Sequence, residues 1–220
     1  MSIDTNSLAL NKDLRAKSRE DLKGNWGKAV LTYLVYMVIL VPIALIPLVG
    51  NFVMLFLEPP LILGMIIFYL NIVRKNDPEI KNVFLGFSYY GKSLGVFLLV
   101  ILYTFLWSIL LIIPGIIKAY SYSMTFYIVA DNPEVGFNEA IRLSSKMMNG
   151  SKFKLFTLQL SFIGWGLLSL LTLGIGSIWV SVYQMTAMAN FYEDLKRNYI
   201  DEDIFENNNN QEEIKINLEK

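Results

Sequence analysis

Two charges stand inside otherwise apolar sequence, Glu58 and Lys118, and they are the first places where chemistry could occur. An ionisable side chain in an apolar stretch is costly unless it is paired, hydrated or close to an interface, so it marks a candidate site. A Glu58–Lys118 pair across a helical bundle would satisfy both groups. The competing reading has Lys118 stretching its ammonium to the interface and Glu58 at a helix N-terminus ahead of Pro59 and Pro60. The other polar groups form stripes of hydroxyls and amides. Tyr120, Ser123 and Tyr127 share one helix face, with Ser121 and Thr125 beside them, while Ser177, Ser181 and Gln184 recur at helical spacing. Thr157, Gln159, Ser161 and Asn71 add to the set. Such stripes can line a water-filled path, but more often they are hydrogen-bonding glue between closely packed helices.

Conventional catalytic chemistry has little to work with. The chain contains no cysteine and no histidine. That removes disulfides, Cys/His zinc sites, His-held haem, a thiol nucleophile and any His-based triad. Ser151-Lys152-Phe153-Lys154 has the serine–lysine spacing of penicillin-binding enzymes but lacks their companion motifs. No Gly-rich phosphate loop occurs, and Gly174-Ile175-Gly176 reads as a turn. The expectation is therefore a protein that is not an enzyme, with no cofactor and no metal.

The elements that must position these groups are apolar. Of 220 residues 54% are hydrophobic and 17% charged, and the formal net charge is zero, so nothing in the balance points to nucleic acid. Long apolar runs cover residues 29–49, 59–73, 94–117 and 155–192. A membrane-spanning helix needs about 20 predominantly apolar residues. Pro114-Gly115 and residues 174–176 divide the last two runs, giving six expected spans with outer connections at 50–58, 114–115 and 174–176. A count of five, with residues 120–130 as an interfacial segment, stays open. Basic residues cluster before residue 29, at 74–93, at 131–154 and at Lys196-Arg197, and the alternate connections are nearly uncharged. By the positive-inside rule both termini are expected in the cytoplasm.

The expected fold class is all-α, a polytopic transmembrane bundle of about six spans in three in-out-in hairpins, with short amphipathic cytoplasmic helices. Residues 1–28 form an amphipathic cytoplasmic segment, 29–193 the membrane domain, and 194–220 a polar, mobile tail. Asn132-Pro133-Glu134 reads as a helix start, with Phe137, Ile141, Ser144 and Met148 on one side of the helix; Leu14, Ser18 and Leu22 form a similar face. Such helices lie among lipid headgroups or pack on the bundle.

Three hairpins share a plan: a small residue and Lys at the inner face, an outer glycine at Gly50, Gly115 or Gly174, and a Phe-Tyr pair on the return at Phe68-Tyr69, Phe126-Tyr127 or Phe191-Tyr192. A repeat of equal orientation and a chance recurrence of ordinary interfacial residues both fit. The run Ile112-Ile113-Pro114-Gly115-Ile116-Ile117-Lys118-Ala119-Tyr120-Ser121-Tyr122-Ser123-Met124 is characteristic, as are Ala130-Asp131-Asn132-Pro133, Leu160-Ser161-Phe162-Ile163-Gly164-Trp165 and Thr172-Leu173-Gly174-Ile175-Gly176. Over residues 14–195 the chain resembles the bacterial integral membrane family known as domain of unknown function 975. The resemblance implies a plasma-membrane protein of several spans and brings no catalytic residues. Glu58-Pro59-Pro60 departs from it, since a less charged entry to the second span is expected.

Three functions fit these residues unequally. A non-enzymatic scaffold, assembly partner or protective factor is favoured, and a small transporter or permease with a polar path between helices four, five and six is the alternative. A lipid-modifying enzyme fits least. The expected partners are the lipid bilayer and either a second copy or another membrane protein.

Overall fold

Inside a bilayer the backbone must satisfy its own hydrogen bonds, which favours helix for every long apolar run. The computed structural model describes the backbone of residues 8–218 and the side chains of residues 8–109 and 111–199. Among the described residues the chain forms ten α-helices, one 3₁₀ helix and no strand. In order these are α1 (Asn11–Leu22), α2 (Trp26–Ala44), α3 (Val49–Val73), the 3₁₀ helix (Ile80–Tyr89), α4 (Tyr90–Leu110), α5 (Ile112–Tyr122), α6 (Thr125–Asp131), α7 (Phe137–Met147), α8 (Lys152–Leu160), α9 (Ile163–Leu170) and α10 (Ser177–Leu218).

Four helical segments of the described chain are long and apolar enough to cross a membrane: Trp26–Ala44, Val49–Val73, Ile80–Ile109 and Lys152–Leu170. Their outward faces carry Phe52, Phe105, Ile109, Leu167 and Leu170, all well exposed. A protein in water rarely displays so much contiguous apolar surface, whereas lipid tails cover it at no cost. The return after α4 is instead divided into α5, of 11 residues, and α6, of 7, neither long enough to span alone. α10 is not among the four.

The outer connections differ from expectation in an instructive way. Residues 50–58 are not a loop, because α3 starts at Val49 and runs unbroken through Pro59 and Pro60. Glu58 therefore lies within the helix and not at its N-terminus. The prolines do not end α3, since the 3₁₀ helix packs closely on that stretch. A Cβ added at Gly86 would fall on the Pro60 carbonyl, and one at Gly64 on the Val83 carbonyl. The turn itself is shorter and earlier, with Leu48 at φ 61°. After α4, Leu111 alone is extended and Pro114 enters the first turn of α5, where its missing N–H costs no helical bond. The third turn falls where expected, through Leu173 (φ 52°) and Gly174 (φ 86°).

α7 begins at Phe137, later than the Asn132-Pro133-Glu134 start expected. The Asn132 side-chain carbonyl instead accepts the Glu134 N–H at 3.2 Å, making a local turn. Both short basic helices pack inward: Leu14, Ser18, Asp21 and Leu22 of α1 are buried, as are Ala140, Ile141, Ser144 and Met147 of α7. α10 carries the chain past residue 193, with Leu195 fully buried. The side chains of the expected tail beyond residue 199 lie outside the described residues. The core lies where α3, α6 and α10 meet, around Phe68, Tyr69, Ile72, Val129, Ala187 and Phe191.

The break between α5 and α6 has its own support. Ser144 of α7 donates to the Ser121 carbonyl at 2.8 Å, and its hydroxyl accepts the Met124 N–H at 3.2 Å. One side chain thus satisfies a donor and an acceptor that the interrupted helix leaves free.

Candidate functional site

The three helices that carry the Phe-Tyr pairs converge on one charged knot. Arg74, at the end of α3, reaches Asp131 at the end of α6 at 2.5 Å and Glu193 of α10 at 2.6 Å. Lys196 approaches the other Asp131 oxygen at 2.6 Å, and the Tyr192 hydroxyl donates to that oxygen at 2.8 Å. The Tyr127 and Tyr192 rings lie 5.2 Å apart directly beside this knot. Burial opposes ionisation of Asp131, but hydrogen bonds from Lys196, Arg74 and Tyr192 outweigh it and hold the carboxyl below the usual carboxylate range. Burial likewise works against the Arg74 charge, and the bonds to Asp131 and Glu193 more than restore it.

A second polar seam fastens α1 to α10. Asp21, with its side chain 2% exposed, takes Lys75 at 2.5 Å and the Asn190 amide at 2.8 Å. Asn190 also donates to Ser18, at 3.2 Å. Further along, Arg19 donates to the Tyr183 hydroxyl, which donates to the Arg15 carbonyl at 3.0 Å. The Ala9 N–H reaches Asp194 at 2.8 Å. These contacts are long-range in sequence and local in space, and they suit a clamp better than a reactive centre.

The polar stripes come apart into self-bonded hydroxyls and a few cross-ties. Ser121, Ser123, Thr125 and Ser177 each donate to a carbonyl of their own helix or turn, at Ile117, Tyr120, Tyr122 and Gly174. Tyr120 donates to Gln159 of α8 at 2.9 Å, and these two line a shallow recess with Ser123. Tyr127 lies elsewhere, in an apolar recess with Tyr36, Tyr69 and Met185. Ser177, Ser181 and Gln184 line neither recess, so the structure does not unite the two stripes.

Glu58 and Lys118 do not pair. Lys118 places its ammonium 4.7 Å from the Trp107 ring centre. α4 and α5 form a close antiparallel pair in which Gly115 meets Ser108, and α7 crosses both. This crossing brings Lys118 to the basic connection that follows α6 and away from Glu58.

The result is a basic cleft of about 740 Å³ between α4, α5, α7 and the start of α8. Lys118, Arg142, Lys146 and Lys152 line it, together with Tyr103 and Asn138, and no acidic residue does. Glu139 stands 4.0 Å from Arg142 at the exposed rim. Among the described residues the three lysines have no carboxylate partner.

Comparison with known proteins rests on one result. The family model described as "Protein of unknown function (DUF975)" matches residues 8–121 and 109–199. The chain belongs to this family. No curated protein and no solved structure matches it. The DUF975 match embraces the knot, the α1–α10 seam and the basic cleft.

Sequence reasoning overlooked most of what the DUF975 fold assembles. Arg74, Asp131 and Lys196 follow the three Phe-Tyr pairs by a similar interval, a signal present in the sequence but weak without knowledge that the helices converge. Asp21 and Asn190 carried no signal: each is a common polar residue in a polar or mixed stretch. The cleft joins residues from four helices and is visible only once α7 crosses the α4–α5 pair.

Proposed function

We propose that this is a non-enzymatic multi-pass protein of the bacterial plasma membrane, with both termini cytoplasmic, acting as a scaffold, assembly partner or protective factor. One observation carries the reading. Ser121, Ser123, Thr125 and Ser177, expected to line a polar path, are turned onto carbonyls of their own helix or turn, and Tyr120 and Gln159 are consumed in a tie between helices. A permease needs polar groups free to exchange partners with a solute along a continuous route. Here the hydroxyls are occupied locally, and the Tyr120–Gln159 bond acts as glue between helices. The charged knot and the α1–α10 seam support a bundle built to hold one arrangement, offering its basic face to lipid or to a partner.

The absence of native cysteine makes the test direct. Single cysteines at Ser123 and Ser181 are treated with a hydrophilic maleimide in opened membranes. The scaffold reading expects both to stay unlabelled while a control at Lys12 reacts fully. Labelling of both at the control rate means water reaches the stripes and favours the small transporter or permease.

A further inference from the structure

We infer that the basic cleft is a binding site for the phosphate headgroup of an anionic phospholipid, a reading that rests on the membrane placement proposed above. Four cationic side chains from three helices converge there with no acid lining the space. Lys118 and Lys152 repel each other across it. Four cations gathered without a counter-charge repel one another, and the lining supplies no acid of its own. A phosphate diester brings a fixed negative charge and acceptor oxygens. The Arg142 fork can engage two of those oxygens, and the lysines act as point charges around them. Tyr103 and Asn138, joined to each other at 2.9 Å, add neutral polar groups to the wall.

The surroundings favour a lipid over a soluble phosphate. Beyond Lys118 the surface continues along α5 over Ile113, Ile116 and Ile117, and along α4 over Leu106, all exposed. A headgroup in the cleft would leave its acyl chains against this apolar face, where a soluble anion would gain nothing. Basic pockets between membrane helices bind anionic headgroups by this combination of charge and adjoining apolar surface. The volume of about 740 Å³ is ample for a glycerophosphate headgroup.

Trp107 reports on the site directly, because its ring lies against Lys118. With Trp26, Trp165 and Trp179 replaced by Phe, the full chain is reconstituted into phosphatidylcholine vesicles. Either brominated phosphatidylglycerol or brominated phosphatidylcholine is included at equal mole fraction. The inference expects phosphatidylglycerol to quench Trp107 more strongly. In Arg142→Gln and Lys146→Gln the preference should fall about fivefold for each basic side chain removed, equivalent to about 1 kcal/mol per residue. Lys12→Gln, a basic change outside the cleft, should leave it unaltered, and Glu139→Gln should raise it. Equal quenching by the two lipids overturns the inference. If inorganic pyrophosphate then alters Trp107 emission in pure phosphatidylcholine, the cleft is a site for soluble phosphate compounds. An equal loss of preference in Lys12→Gln also overturns it, since general surface charge would then be the cause. Phosphatidylglycerol occupies both leaflets of the vesicles, so this result does not depend on orientation. The thiol labelling of the stripes can therefore fail while the lipid preference stands, and the reverse.

Discussion

Replacing Asp131 by Asn should destabilise the bundle by about 2–3 kcal/mol, because it unbalances the knot that ties all three returning helices. The wild-type knot has two acids, Asp131 and Glu193, against two bases, Arg74 and Lys196. The amide would keep the shape of the carboxylate but leave the knot with a net positive charge. Charge-assisted hydrogen bonds contribute roughly 1.5–3 kcal/mol each, and Asp131 accepts from Arg74, Lys196 and Tyr192. The sum overstates the loss, since the three donors share one carboxylate and are not independent. Breaking a fully buried pair costs about 3–5 kcal/mol. Asp131 is 12% exposed, but Arg74 and Lys196 are 31% and 38% exposed, so water can rehydrate the freed cations and the lower figure applies. The assay is reversible unfolding of purified protein in mixed micelles, followed by circular dichroism. Asp131→Asn, Lys196→Gln and the double variant form a cycle with an expected coupling of about 1 kcal/mol.

The pH dependence gives the same reasoning a second readout. The folded-state pKa of Asp131 is depressed, so its contribution is present above the ordinary carboxylate value and is lost as pH falls through the lower, folded value. Wild type and Asp131→Asn should therefore differ fully at neutral pH and converge only below about pH 3.9, the unperturbed value. A loss below about 0.5 kcal/mol at neutral pH, the level of an ordinary surface substitution, would refute the knot as a stabilising device.

Other perturbations test neighbouring parts of the account. Ser144→Ala removes the hydroxyl that serves both Ser121 and Met124 and should cost about 2 kcal/mol, read as a lowered unfolding midpoint with unchanged helix content. Gly64→Ala should cost at least about 1–3 kcal/mol by forcing α3 away from Val83, and Gly86→Ala should do the same against Pro60. Both should make the 74–93 connection more open to protease. Asp21→Ala should loosen α1 by removing the carboxylate that accepts from Lys75 and Asn190, and should speed amide exchange across residues 11–22 by at least tenfold, about 1.4 kcal/mol.

What the sequence made legible was governed by the solvent. Long apolar runs predict helix because lipid leaves the backbone no other partner, and α2, α3, α4 and the α8–α9 pair fall where the runs do. The errors come from local rules overridden by packing. Pro59-Pro60 reads as a helix boundary in isolation, but the glycine contacts with the 3₁₀ helix hold α3 straight through it. Conversely, nothing in Ser121–Thr125 announces a break, which exists because Ser144 arrives from another helix to satisfy it. The Glu58–Lys118 pairing assumed that both residues stay at one end of the bundle, and the crossing of α7 over α4 and α5 gives Lys118 different neighbours. Ser123, Ser177 and their neighbours pose a choice between path and glue. Only hydroxyl direction could favour one, and sequence does not encode that directly.

The central claim is a membrane-spanning bundle with its basic face turned to the cytoplasm, and the most direct measurement is thiol labelling of intact cells. Single cysteines are placed at Lys12, at Asn51 in the first turn of α3, and at Ile175 in the turn before α10. A membrane-impermeant maleimide is added before or after lysis. The account predicts labelling of Asn51→Cys and Ile175→Cys in intact cells and of Lys12→Cys only after lysis. Labelling of Lys12→Cys from outside, with the other two silent until lysis, would contradict the orientation. Release of all three variants with the soluble fraction would contradict the membrane placement itself.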